Sequence, residues 1–377
     1  MRIYGIKINI PDGYPVGDIA VFYSIRLYGV LQMMKEIKGQ KFAGERSLFM
    51  SRDLHVEDTV FEDGESPLKE SENIRLINST FNWKYPLWYC KNIEVKDCNL
   101  TSTARAGIWY THNISMKNCD ITAPKTFRRS SGITLENIRL VNSTFNWKYP
   151  LWYSKDITVT GCTLTGTARA GIWYTHNISM ENCDIPAPKT FRRSTNISLK
   201  NIRLPNAQET LWACKGVKME NVTAQGDYIC MNCEDMEIDG FDLLGNYAFD
   251  GAKNITIKNS KLMTKDAFWN SENITVINSE IRGEYLGWNS KNLTLINCTL
   301  ESLQGLCYIE NLVLKNCKLI NTTLAFEYST VEADIEGGVD SVLNPSGGRI
   351  CADFIGELII EKDKVDPEKT SIIYKKS

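Results

Sequence analysis

No run of apolar residues in this chain is long enough to cross a bilayer. The most apolar segment, IAVFYSIRLYGVLQMM, is short for a span and carries Arg26 near its middle. The start, MRIYGIKINIPDGYPVGD, lacks the unbroken apolar core and the small-residue cleavage site that mark a secretory leader. An excess of one charge is also missing. The 43 Lys and Arg against 45 Asp and Glu leave a net charge of −2, without the basic surplus that nucleic acid demands. Histidine is scarce, at three residues, and no segment shows the period of an amphipathic helix. These lacks point to a cytoplasmic protein with no nucleic-acid partner, no membrane partner and no resident cofactor.

What the chain has instead is repetition. ARAGIWYTHNISM occurs at 104 and again at 168. Shifted by about 64 residues, Glu72–Leu135 falls on Glu136–Leu199 with roughly 50 positions identical, the mark of a recent tandem duplication. Inside each copy runs an older period of roughly 19–21 residues. It is clearest in KNITIKNSKLMTKDAFWNS at 253, ENITVINSEIRGEYLGWNS at 272 and KNLTLINCTLESLQGLCYI at 291.

Ile255/Ile257, Ile274/Val276 and Leu293/Leu295 alternate with polar residues at the two-residue period of a strand. The duplication tests that reading. Between Lys91–Leu100 and Lys155–Leu164 the changes include Asn92/Asp156, Glu94/Thr158 and Lys96/Thr160, whereas Ile93/Ile157, Val95/Val159, Cys98/Cys162 and Leu100/Leu164 are kept. Drift touches one face and spares the other, as a packed interior requires. The expected fold is all-β: a single-stranded right-handed parallel β-helix of about 14 coils, with KDAFWNS and GEYLGWNS read as strand. A leucine-rich repeat is the rival, but its consensus wants a Leu where Ser290 stands. Residues 38–377 make the helix. Met1 to about Ile37 is expected to pack poorly, as an added arm or an over-extended start. The junction 131–154 is longer than its neighbours, and either SGITL or ENIRL supplies its strand.

In a parallel solenoid, equivalent residues stack, which turns several apparent motifs into columns. Asn78, Asn118, Asn182, Asn259, Asn278, Asn297 and Asn316 form one, with amides able to bond up the stack. Cys98, Cys119, Cys162, Cys183, Cys298 and Cys317 form another, in which Ser79, Ser260 and Ser279 also occur. Interchange of Cys with Ser implies a small buried group rather than a cross-link. Cys230 and Cys233, in CMNC, fall in a further small-residue column and lack the second pair of a zinc site, so no metal is expected. His112 and His176 sit at a coil-start turn also filled by Lys and Glu, and read as solvated.

One column is unusual. An outward position reads Trp88, Trp109, Arg128, Trp152, Trp173, Arg192, Trp212, Met231, Asp250, Trp269 and Trp288, with Asp266 and Glu284 a few residues upstream on their coils. Two readings stand. An aromatic ladder stabilises the solenoid by mutual stacking, or the face is a groove for an oligosaccharide or other polar ligand, with Trp for sugar C–H faces and Arg and Asp for hydroxyls. The corresponding functions are carbohydrate binding or processing and a non-catalytic interaction scaffold. A single active site should lie on one side of the duplication, within Gly245–Asn289.

The stretches DGESPLKES at 63, YPLWYC at 85, ARAGIWY at 104, KDAFWNS at 265, GEYLGWNS at 283 and LAFEYS at 324 resemble the bacterial family called domain of unknown function 3737. That family belongs to the pectin-lyase-like β-helix superfamily. The resemblance runs from about Lys35 to the C-terminus and implies the fold, with no particular activity. Polygalacturonases of the superfamily imply NTD, DD and GHG motifs, and none occurs here. A lyase-like calcium site implies acidic residues on successive coils of one column, where this chain offers Asp250 alone. Asp266 and Glu284, on neighbouring coils, are the candidate carboxylate pair.

Overall fold

The computed structural model describes residues 2–3, 6–7, 34–136, 139–140 and 151–375. The chain divides at Met33/Met34. In the first unit the described residues are one antiparallel pair, Arg2–Ile3 with Ile6–Lys7, and the expectation for the rest of that arm lies outside the described residues. The second unit is a parallel β-solenoid of about 17 turns, three more than the sequence count. The uncounted turns lie where the pattern fades. Thr330–Ile335, Gly347–Ala352 and Thr370–Tyr374 stack in parallel register without the turn-Asn and apolar pair of the central coils.

Register follows the sequence alternation. Ile255 lies against Ile274, Ile274 against Leu293 and Leu293 against Leu312. These columns are buried, and one apolar core runs without interruption from Leu54 to Ala352. The outward residues of the same strands form vertical ion pairs, such as Lys253–Glu272 at 3.3 Å and Lys291–Glu310 at 3.0 Å. His112 and His176 are exposed at the same coil-start position, each bonded through Nδ1 to a hydroxyl of the next coil at 2.6 Å.

The turn into each long strand needs a left-handed residue, and Asn, Asp and Gly supply it: Asn92 (φ +54°), Gly132 (+63°), Asp156 (+57°), Asn254 (+57°). Each Asn there donates its amide to the coil before it. Asn73 bonds Asp53 at 2.8 Å, Asn92 bonds Asn73 at 2.9 Å and Asn113 bonds Asn92 at 3.0 Å. Gly132 then ends the run, and the next coil restarts on Asp156, followed by Asn177 and Asn196 at 2.9 Å each. Gly216 ends that run, and Asp235 begins the third, which climbs through Asn254, Asn273, Asn292 and Asn311 at 2.7–3.0 Å. The order has a simple cause: above Gly there is no acceptor, so an amide would be left without a partner, whereas a carboxylate needs none. Asn292→Ala removes two of these bonds and the left-handed preference. It is expected to lower stability by about 1–2 kcal/mol, read from the urea midpoint.

The predicted Asn column is bonded the same way, with Asn297 on Asn278 at 3.1 Å and Asn316 on Asn297 at 3.0 Å. The Cys/Ser column also has a common chemistry. Cys98 and Cys298 donate to the carbonyl two residues back, Lys96 and Ile296, at 3.2 and 3.3 Å. Ser79 and Ser279 do the same to Ile77 and Ile277 at 2.8 Å. Thiol and hydroxyl are interchangeable because each satisfies one bond in a space of the same size. Cys230 and Cys233 are fully buried, burial pushes both thiols well up, and Cys233 donates to the Leu211 carbonyl at 2.9 Å.

Two sequence expectations resolve differently. At the junction, Ser131–Glu136 supplies the long strand and Arg139–Leu140 the short one after it, with 24 residues separating Ile133 from its partner Ile157. ENIRL thus lies inside a long strand at 72–76 but straddles two strands at 136–140. KDAFWNS and GEYLGWNS are turns, not strands. Every second residue there is left-handed: Asp266 (+55°), Phe268 (+62°) and Asn270 (+52°), then Tyr285 (+54°), Gly287 (+75°) and Asn289 (+58°).

Candidate functional site

The outward Trp/Arg position is a continuous vertical column. Ile108–Trp109, Phe127–Arg128, Leu151–Trp152 and Ile172–Trp173 pair as short parallel strands, and single bridges carry the column on to Arg192 and Trp212. The alternation sends Ile108, Phe127, Leu151 and Ile172 into the core and leaves the following residue half-buried outside. Beyond Trp212, backbone bonds from Ala213 to Met231, Asn232 to Asp250, Gly251 to Trp269 and Asn270 to Trp288 keep the remaining residues in line.

In the lower part the rings cover one another. Trp88 and Trp109 stack at 5.3 Å and 8°, and Trp152 and Trp173 at 5.2 Å and 13°. The Arg128 guanidinium lies over Trp109 at 5.0 Å, and Arg192 is sandwiched between Trp173 at 5.1 Å and Trp212 at 4.8 Å. The indole N–H groups are engaged too: Trp109 and Trp173 donate to the carbonyls of Lys125 and Lys189 at 2.8 Å, and Trp152 to that of Ala170 at 2.9 Å. With faces stacked and N–H groups bonded, this stretch presents ring edges to solvent. Arg192 is further paired with Glu209, which the sequence reading did not single out. Lys189, at 2.8 Å, and then Arg192 hold that carboxylate below its usual range. An acidic residue one coil above TFRRS was the available signal.

The column changes character at Met231 and Asp250. Here the aromatic stack is interrupted, because neither residue carries a ring. Trp269 has Asp250 beneath it and Trp288 above it, the two indoles 6.2 Å apart and tilted by 36°. The residue of this column beneath Trp269 is therefore a carboxylate and not a ring, so the parallel stack does not continue below it. Asp250 is oriented by the Asn270 amide at 3.0 Å. Tyr228 and Tyr247, stacked at 4.8 Å, flank the interruption, and Tyr247 stands edge-on to Trp269 at 6.4 Å. Asp266 follows Tyr247 in that flanking column and precedes Tyr285. The structure therefore brings Asp250, Asp266, Trp269, Glu284 and Trp288 together within three successive coils. It keeps Trp88, Trp109, Arg128, Trp152, Trp173, Arg192 and Trp212 apart from them as the stacked stretch.

Glu284 is tied to Lys265 at 3.0 Å. Asp266 is 8 % exposed, and burial, then the charge of Glu284, raise its carboxyl above the usual range against a weaker pull from Lys265. Among the described residues no cluster of three or more His, Cys, Asp or Glu is placed to hold a metal ion, and no helix is long and apolar enough to cross a membrane.

The family described as Protein of unknown function (DUF3737) matches residues 35–144 and again 135–373, and the chain belongs to that family. The two matches overlap at 135–144, where the second copy of the duplicated block begins. No protein of curated function matches the chain in sequence. Among solved structures, the A-module of the mannuronan C-5 epimerase AlgE6 of Azotobacter vinelandii is 9% identical, with 86% of this chain and 91% of that one covered and a TM-score of 0.25. PfbA, a surface adhesin of Streptococcus pneumoniae, is 10% identical over 89% and 85%, with a TM-score of 0.26. The tailspike of E. coli bacteriophage HK620, solved with a pentasaccharide, is 10% identical over 90% and 72%, with a TM-score of 0.22. The functional reading accordingly rests on this chain's own residues.

Proposed function

We propose that the protein binds carbohydrate at the interruption of its aromatic column, between Met231 and Trp269. The observation that supports this is the break in the aromatic column, where the carboxylate of Asp250 stands next to Trp269 in place of a ring. A pyranose ring offers an apolar C–H face for the indole and hydroxyls for a carboxylate, and burying both at once is what a site of one aromatic and a few fixed polar groups favours. Asp250, held by Asn270, accepts from sugar hydroxyls. The phenols of Tyr228 and Tyr247 lie beside it as further donors.

The stacked stretch from Trp88 to Trp212 is assigned to stability, because its rings and guanidinium groups lie face to face; indole N–H bonding does not distinguish it, since Trp269 also donates to the Tyr285 carbonyl at 2.8 Å. This division makes the two sequence readings of the column separable. On an oligosaccharide array, wild type is expected to retain glycans, Trp269→Ala and Asp250→Ala to weaken retention at least tenfold, and Trp109→Ala to leave it unchanged. Loss caused by Trp109→Ala and not by Trp269→Ala would move the site to the stacked stretch. Retention of no glycan by wild type would leave the scaffold reading, which the stacked rings favour on their own.

A further inference from the structure

Asp266 has been taken out of water without being given a partner. It is 8 % exposed, and no hydrogen bond or ion pair reaches its carboxyl among the described residues. Among the described residues, the polar side-chain atoms that are sealed from solvent and unpaired belong to His55, Arg128, Asp184, Arg192 and Thr323. The Asp266 carboxyl is not one of them, so it keeps some contact with solvent.

Its surroundings explain both facts. Backbone bonds from Tyr247 to Lys265 and from Asp266 to Glu284 set Asp266 on the rung between Tyr247 and Tyr285, three residues before Trp269 on the same coil. Lys265 on its own coil and Glu284 above act on its charge, and the neighbouring rungs hold Tyr285 above and Tyr247 and Asp250 below. Lys265 is the one cation of this set, and it is engaged by Glu284 at 3.0 Å. Burial and the negative charge of Glu284 raise the Asp266 carboxyl above its usual range, against the pull of Lys265. One coil below, Asp250 is fixed by an amide donor at 3.0 Å. Two carboxyl groups, one without a partner and one bonded to an amide, thus lie on the coil of Trp269 and the coil below it.

Resting on the reading of the column's interruption as a sugar site, we propose that Asp266 is the general acid, and Asp250 the general base, of a glycoside hydrolysis carried out there. The Asp266 carboxyl passes its proton to the glycosidic oxygen as the bond from that oxygen to the anomeric carbon breaks. The bonding pair stays on the oxygen, which leaves as an alcohol. A water molecule adds to the anomeric carbon and gives its proton to Asp250. One water is consumed, one new reducing end appears, and proton exchange with solvent resets both carboxyls.

The full-length protein is tested on the oligosaccharide that the array retains best and on the 2,4-dinitrophenyl glycoside of the same sugar. Reducing ends should appear from the oligosaccharide. Asp266→Asn keeps the left-handed turn and the side-chain shape. It should slow that reaction by 10²–10⁴-fold with glycan retention intact. On the dinitrophenyl glycoside its rate should fall less than tenfold, because that leaving group departs without a proton. Asp250→Asn should slow both substrates, with azide restoring turnover. The wild-type rate should fall as pH rises through the raised Asp266 titration, and Asp266→Asn should lose that limb. Retention without any release of reducing ends would overturn the catalytic assignment and leave the binding site standing. Equal slowing of both substrates by Asp266→Asn, or none, would remove Asp266 from the role of acid. If wild type retains no glycan, the sugar site itself fails and this assignment with it.

Discussion

Excising residues 136–199 is expected to give a folded protein that is three coils shorter and still binds at Trp269. The cut joins Leu135 to Lys200, so SGITL runs into KNIRL and the long strand is rebuilt from letters of the same pattern. Inward columns stay inward. Arg128 takes the place of Arg192 beneath Trp212 and gains Glu209, the carboxylate that Arg192 holds now. Small-angle scattering should show a rod shortened by about 14 Å, three strand spacings of ~4.8 Å. Excising only residues 190–199, about half a coil, should instead be strongly destabilising, since one coil would lose the buried Phe191, Ile197 and Leu199 and could no longer span the stack between its neighbours. Equal damage from both deletions would sink the idea that whole coils are interchangeable.

That interchangeability was readable in the sequence, because a parallel stack places like residues on like. Ile255 over Ile274, the Asn amides, the Cys/Ser exchange and the Trp column all appear where the periodicity put them. Other features were hidden for identifiable reasons. KDAFWNS alternates inward and outward as a strand does, but a chain that switches between left- and right-handed residues alternates side chains in the same way. Alternation alone does not separate the two. The last turns escaped the count because their strands are held by backbone pairing without the turn-Asn signature. The burial of Asp266 was invisible because its neighbours on the adjoining rungs, Tyr247 and Tyr285, stand 19 residues away on either side. Whether an indole offers its face or its edge was hidden too, since it depends on what the next coil places above it.

Trp173→Ala is expected to cost about 2–4 kcal/mol. The indole stacks on Trp152 at 5.2 Å, supports Arg192 at 5.1 Å and donates to the Lys189 carbonyl at 2.8 Å. A stacked pair contributes about 0.5–1.5 kcal/mol, a partly desolvated cation over a ring about 0.5–2, and one hydrogen bond about 0.5–1.5. Urea unfolding followed by circular dichroism should show the loss, with glycan retention at Trp269 unchanged under native conditions. A shift below about 0.5 kcal/mol would mean that the rings rest beside one another without contributing. Trp109→Ala is expected to cost somewhat less, because Arg128 above it has no carboxylate partner among the described residues, whereas Arg192 is anchored by Glu209.

The one-way amide runs change how the two copies should be compared. Asn92 and Asp156 are equivalent letters in an otherwise shared text, as are Gly132 and Asn196. Substitution on an outer face ordinarily counts as neutral wear. Here the two differences belong together: once glycine stood at 132, the coil above lost its acceptor, and aspartate at 156 suits that vacancy where asparagine would not. The inserted block thereby carries a complete run of its own, from Asp156 to Asn196. The second copy has become a self-contained segment, punctuated at its start and adapted to the place where it landed.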